Sequence, residues 1–283
     1  MRLPVLRAGF AFLLAISVWT ASEATPPNQF IVLNGVKLHY LDWGGVGQAV
    51  LFLPSFGASV HEFDDIASRF TDRFHVLGLT RRGQAESDAP ASHYDTRTLV
   101  EDIRGFIDAK EIGRVTLAGY SIAGREETLF ASTYPDRVNK LVYLDATGDP
   151  KSAYELATNP ATAYPLGIEE PEGVLGQISR GAREADPDYT KISAPALAFC
   201  VIYGSTYIPP NADAVLRERL LARYEKYGKP FEEQQREHFR RDMKRGRIVE
   251  LRGTTHTEFL HNPAQLAIII REMRAFLSAR SND

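Results

Sequence analysis

The stretch Arg114-Val115-Thr116-Leu117-Ala118-Gly119-Tyr120-Ser121-Ile122-Ala123-Gly124 constrains this chain more than any other. β-Branched and apolar residues lead into it, and a helix-like segment follows. Between the two, Ser121 has Gly119 at minus two, Ala123 at plus two and Gly124 at plus three. The order reads as strand, sharp turn, helix, with the serine at the corner, the layout of a nucleophile elbow. Such a corner holds the serine in a strained backbone conformation, so that its hydroxyl stands clear of the sheet. Small neighbours let strand and helix approach closely. The helix that follows points its unpaired N–H groups at the reacting centre.

The rest of the chain supplies strands and helices in alternation. Phe30 to Gly44 reads as a hairpin turning at Asn34-Gly35. Ala49–Leu53 and Phe74–Leu79 are apolar runs of buried-strand type. Between them Ser59 is expected to cap a helix, with Glu62 completing a capping box and Phe63, Ile66, Ala67 and Phe70 on its apolar face. Thr96–Lys110 has helical periodicity, and a helix is expected from the elbow to about Tyr134. Val138–Leu144 and Pro195–Tyr203 read as strands, 211–245 as two charged helices, and Arg247–Arg252 as a last strand. A final helix opens at Asn262-Pro263, with Leu266, Ile269, Ile270, Met273 and Leu277 as its buried stripe. This alternation predicts an α/β fold: a mostly parallel central sheet with helices on both faces, opened by an antiparallel hairpin. Residues 147–192 are rich in Pro, Gly, Ala, Glu and Asp with weak periodicity, and are expected to form a small cap insertion over one edge.

The first 24 residues read as a secretory signal. Arg2 and Arg7 precede an apolar run from Ala8 to Trp19, and Ser22 and Ala24 are small residues at a cleavage site. The run is too short for a comfortable membrane span. The expectation is an exported domain, periplasmic or secreted, covering 25–283, with no stable membrane span once the signal is removed. A net charge of -3 gives no basis for nucleic-acid binding. Cys200 is the only cysteine, so an internal disulfide and a thiolate metal site are both excluded.

Hydroxyl attack on an acyl carbon needs a nucleophile, a base, an acid that orients the base, and donors for the oxyanion. In open α/β sheets such groups gather at the carboxyl ends of strands. Ser121 is the candidate nucleophile. His256, in the loop Gly253-Thr254-Thr255-His256 after the last strand, is the candidate base, with His261 as its nearest rival. Asp145, at the exit of Val138–Leu144, is the candidate acid. Asp213 is the alternative. The backbone amides of Ile122 and Phe56 are the candidate oxyanion donors. Arg81-Arg82-Gly83 reads as a structural loop or as an anion site, and Gly44-Gly45-x-Gly47 resembles a phosphate loop only faintly. No metal-ligand spacing occurs among the histidines and carboxylates.

Together these segments resemble the α/β-hydrolase superfamily. The likeness rests on Gly119 to Gly124, on Tyr134-Pro135-Asp136-Arg137-Val138, and on Leu141 to Ala146. Arg82-Gly83-Gln84-Ala85-Glu86-Ser87-Asp88 is similar to the family's Arg-Gly-x-Gly-x-Ser loop, and Thr254-Thr255-His256 to its Gly-His segment. Three positions depart from the pattern. Pro54-Ser55 stands for His-Gly in the oxyanion loop, Ala123 for the second elbow glycine, and Tyr207 for the late aspartate. Some members carry the acid where Asp145 lies. The resemblance implies hydrolysis of esters, or less often amides, lactones or carbon–carbon bonds, without a cofactor. A serine argues against epoxide hydrolases and haloalkane dehalogenases, which use aspartate. The expected substrate is a small or medium, largely apolar ester. A cofactor-free perhydrolase or carbon–carbon or lactone hydrolase, and a non-catalytic binding protein on the same scaffold, are the alternatives.

Overall fold

A computed structural model of the protein describes residues 25–159, 161–162, 170–185, 188–204 and 208–279. The expected signal at 1–24 lies outside them, as does the Ser205-Thr206-Tyr207 segment. Strands β1 (Gln29–Leu33) and β2 (Val36–Gly44) form the hairpin, with Asn34 and Gly35 at φ 51 and 79, a two-residue turn of positive dihedrals. Next come β3 (Gln48–Leu53), α1 (Asp64–Ala67), β4 (Phe74–Leu79), α2 (Thr96–Ala109), β5 (Val115–Tyr120), α3 (Ala123–Thr133) and β6 (Val138–Leu144). The chain continues through α4 (Pro150–Thr158), α5 (Gly173–Glu184), β7 (Ala196–Ile202), α6 (Ala214–Arg223), α7 (Lys229–Asp242), β8 (Gly246–Arg252) and α8 (Pro263–Ser278).

The eight strands form one sheet in the order β1-β2-β4-β3-β5-β6-β7-β8. From β4 to β8 every pairing is parallel, and only β2, the second arm of the hairpin, runs against the rest. The central strands are buried on both faces, so they read as continuous apolar runs. Alternate side chains divide the core. Leu51, Leu117, Leu141 and Tyr143 face Ile103, Phe106 and Phe130 of α2 and α3. Val50, Phe52, Val142 and Leu144 face Phe63, Ile66 and Phe70, together with Ile269, Met273 and Leu277 of α8.

Two helical expectations change in detail. The segment after Ser59 is not one helix but a short 3-10 turn, α1, and a second 3-10 turn ending at Phe70. Its four apolar residues are nonetheless fully buried. Glu62 forms no capping box, because its carboxylate is taken by Ser55, whose N–H and Oγ–H donate to it at 2.5 and 2.8 Å. The charged stretch at 211–245 forms α6 and α7 joined without a break by a π-helical turn at Tyr224–Gly228. The glycines of Gly44-Gly45-x-Gly47 have a packing explanation. A Cβ on Gly45 would lie 2.0 Å from the Phe74 carbonyl oxygen, so only glycine lets the β2–β3 turn run against that backbone.

The elbow is closed in the same way. A Cβ on Gly124 would lie 1.9 Å from the carbonyl oxygen of Ala146. Helix α3 therefore touches the backbone that leaves β6. Gly124→Ala is expected to cost about 3 kcal/mol by forcing that backbone apart, measured by urea unfolding. A change under ~0.5 kcal/mol would contradict the contact.

Candidate active site

The parallel ladder does not stop at the last strand residue. The Ser121 N–H donates to Leu144 O at 3.1 Å, and the Asp145 N–H donates to Phe199 O at 2.8 Å. Both residues then turn sharply, Ser121 at φ 58 and Asp145 at φ 48. These are left-handed conformations that side-chain-bearing residues seldom adopt. The ladder thus fixes two functional side chains on adjacent strand exits.

His256 comes from the loop between β8 and α8 and bridges the two. Its Nε2 lies 2.8 Å from Ser121 Oγ, and its Nδ1 lies 2.7 Å from Asp145 Oδ2. A carboxylate only accepts, so Nδ1 carries the proton and donates it there. Nε2 is left with a lone pair to accept from the serine hydroxyl. The other carboxylate oxygen, Oδ1, accepts from the Val201 N–H at 2.9 Å, and the Tyr203 hydroxyl reaches Oδ2 at 3.4 Å. The loop bearing His256 is pinned from below. The Tyr120 hydroxyl donates to the His256 carbonyl oxygen, and the two rings lie 5.1 Å apart. Gln265 of α8 donates to Arg252 O at 2.8 Å, tying the end of β8 to the final helix.

A cavity of about 370 Å³ opens above the serine. Ser121, Asp145 and His256 stand at one end of it. Ile122, Ala146, Val201 and Phe231 give it an apolar floor and side, and Glu232, Gln235 and Arg236 of α7 form a polar wall. Of the expected cap at 147–192, Thr147, Gly148, Asp149 and Ala153 reach the cavity. Helix α7 therefore lines the same cavity, a role the sequence reading did not give it.

Residues 48–169 match the family model described as the alpha/beta hydrolase fold. A 2-(acetamidomethylene)succinate hydrolase from Mesorhizobium japonicum is 31% identical over 103 residues, or 36% of this chain and 37% of that relative. A soluble epoxide hydrolase of a Corynebacterium species is 26% identical over 114 residues, 40% of each protein. These matches span about two fifths of the relatives' length. The solved structure of an enol-lactonase from Burkholderia xenovorans superposes with a TM-score of 0.61 at 18% identity, covering 89% of this chain and 100% of that one. The chain has the α/β-hydrolase fold.

Within this fold, the loop after β3 is held by groups distant in sequence. Arg81 donates from its guanidinium to Pro54 O at 3.1 Å and to Ser55 O at 3.4 Å. Its Nε is in turn 2.6 Å from Glu126 Oε1 on α3. Arg82 forms a two-pronged pair with Asp102, both contacts at 2.6 Å. Both arginines are buried, so Arg81-Arg82-Gly83 is a structural loop and not an anion site. Phe56 sits at the turn of the clamped loop with its ring partly exposed, and it does not line the cavity. Ile122 caps the first turn of α3 and does line it.

The rival site residues fall elsewhere. Asp213 caps α6 through the Leu216 N–H at 2.8 Å, and His261 is exposed; neither lines the cavity. Sequence reasoning missed Tyr120, Tyr203, Glu62 and Glu126 as supports. Their partners are 7 to 136 residues away, and no local pattern links them. Among the described residues no group of three or more His, Cys, Asp or Glu is placed to hold a metal. Cys200 lies beneath Thr147, where burial pushes its thiol up to about 12 and leaves it unreactive.

Glu127 lies fully buried behind the elbow. The Gly119 N–H donates to its Oε2 at 3.1 Å, and Oε1 has no partner among the described residues. Burial holds this carboxyl well above the usual range, with Glu126 adding to the effect. A raised folded-state value means that the fold retains a proton the unfolded chain releases, so stability falls as pH rises above the ordinary carboxylate range. Glu127→Gln mimics the protonated form. It is expected to raise Tm at pH 8 by about 2–4 °C and to change it little at pH 5, read by scanning calorimetry. An equal shift at both pH values would show that Glu127 is ionised in the fold.

Proposed function

We propose that the protein is an exported serine hydrolase that cleaves a small or medium ester through an acyl-enzyme. The observation that supports this best is the relay Ser121–His256–Asp145, with contacts of 2.8 and 2.7 Å at one end of a cavity of about 370 Å³. The hydroxyl needs a base to become a nucleophile, and His256 Nε2 is in position to take its proton as Oγ attacks. The imidazolium that forms is stabilised by Asp145, which itself keeps two further donors. The amide of Ile122, at the start of α3, and that of Phe56 receive the oxyanion, where preorganised donors act most strongly. His256 then returns the proton to the leaving group. A water molecule deacylates the serine through the same base. A serine at position 121 separates this chain from epoxide-opening relatives, whose chemistry uses a carboxylate there.

The apolar floor suits the acyl portion of such an ester, and the volume limits it to a small or medium group. Two experiments test the reading. A fluorophosphonate probe is expected to label wild type and not Ser121→Ala. Asp145→Asn is expected to lose roughly 10⁴ in turnover, while Asp213→Asn stays within about twofold. Labelling that survives Ser121→Ala, or the reverse ranking of the two aspartates, would overturn the assignment.

Export rests on the signal-like residues 1–24. Expression of the full chain should give a mature N-terminus at Thr25 outside the cytoplasm. A chain that keeps Met1 inside the cytoplasm would contradict it.

A further inference from the structure

The polar wall of the cavity carries donors that the fold engages only loosely. Arg236 is only 8% exposed, yet it reaches Glu232 and Glu250 at 3.7 Å each, both longer than a hydrogen bond. Its guanidinium is thus paired only loosely, with two carboxylates at ion-pair distance. Its neighbour Gln235 uses its carbonyl oxygen to accept from the Asp149 N–H at 3.0 Å, which leaves its amide NH₂ without an acceptor among the described residues. Both side chains line the cavity that contains Ser121. A guanidinium carries five N–H donors, so one held by two long contacts keeps capacity for a further acceptor on the cavity side. Elsewhere in this fold buried arginines are satisfied at 2.6 Å, as Arg81 is by Glu126 and Arg82 by Asp102.

We infer that Arg236, assisted by the Gln235 amide, is a specificity-determining anchor for a carboxylate on the substrate, so that the preferred substrates are esters bearing a second, free carboxylate. This rests on the cavity above Ser121 being the substrate site. A carboxylate matches the planar fork of a guanidinium bidentately, which a neutral ester oxygen does not. The apolar floor then spans the carbons between the anchored carboxylate and the ester carbonyl at Ser121.

Glu232 tunes the anchor. It faces Arg236 on its own helix, Tyr224 on the preceding turn, Asp145 at the exit of β6 and Tyr203 after β7, while Glu250 of β8 and His256 complete the charged surroundings. Burial is the main cause that raises the Glu232 carboxyl to about 7. Below that pH Glu232 is neutral and Arg236 is less compensated, so an anionic substrate binds better as pH falls from 8 to 6.

Calorimetry on Ser121→Ala protein tests this without turnover, so it fails or holds independently of the hydrolytic reading. The probes are monophenyl glutarate, which carries a free carboxylate, and methyl phenyl glutarate, its neutral counterpart. At pH 6.5 the half-ester should bind at least about tenfold tighter, and adding Arg236→Met should remove that preference. Glu232→Gln provides a second variant with the opposite sign: it should tighten half-ester binding at pH 8 and flatten the pH dependence. Equal affinity for the two probes, or a preference that survives Arg236→Met, would overturn the inference. A pH slope unchanged in Glu232→Gln would overturn the role of Glu232.

Discussion

The backbone ladder across β5, β6 and β7 is the constraint on which the site depends. It continues one residue past the strands, through Ser121 N–H to Leu144 O and Asp145 N–H to Phe199 O. Those two bonds hold a hydroxyl and a carboxylate on neighbouring strand exits before any side chain contributes. Each residue then departs into a left-handed conformation that costs on the order of 1–3 kcal/mol. The surrounding packing offsets that cost. Gly124 seats α3 against the Ala146 carbonyl, and Val201 donates its N–H to Asp145. His256 is the remaining variable, and Tyr120 limits it by holding the backbone of its loop.

Behind this front lies a layer of buried charge. Arg81, paired with Glu126 of the elbow helix, reaches the carbonyls of Pro54 and Ser55. The loop expected to supply an oxyanion amide is thereby coupled to the helix that follows the nucleophile. Ser55 is held from its other side by Glu62. Buried ion pairs of this kind add little net stability, because desolvation consumes most of the attraction. Their effect here is geometric: they fix the position of a loop that has no regular secondary structure of its own.

Much of the architecture was legible in the sequence because its signals are local. Asn34-Gly35 determines a hairpin, continuous apolar runs determine buried strands, and Gly124 marks a corner where backbone meets backbone. Ser121, Asp145 and His256 were found as strand-exit residues of the right chemistry, and the fold brings them into hydrogen-bond contact. What stayed hidden was long-range. Glu62 looked like a capping residue, because nothing near it in sequence reveals that Ser55 is its partner. The helices at 211–245 read only as charged helices, since Glu232, Gln235 and Arg236 sit within a run of charged residues. Only the π turn at Tyr224–Gly228 and the docking of α7 on the sheet turn them toward the cavity. The polarity of the pocket therefore could not be read from residues 147–192.

The claim that joins these observations is that Ser121 becomes covalently acylated. Acid quenching of the protein within the first turnovers of an aryl ester, followed by intact-mass and peptide mass measurement, tests it most directly. The account predicts a mass increase equal to the acyl group, located on the peptide that contains Ser121. Sustained turnover with no acylated species at any quench time, or an adduct on another residue, would contradict it.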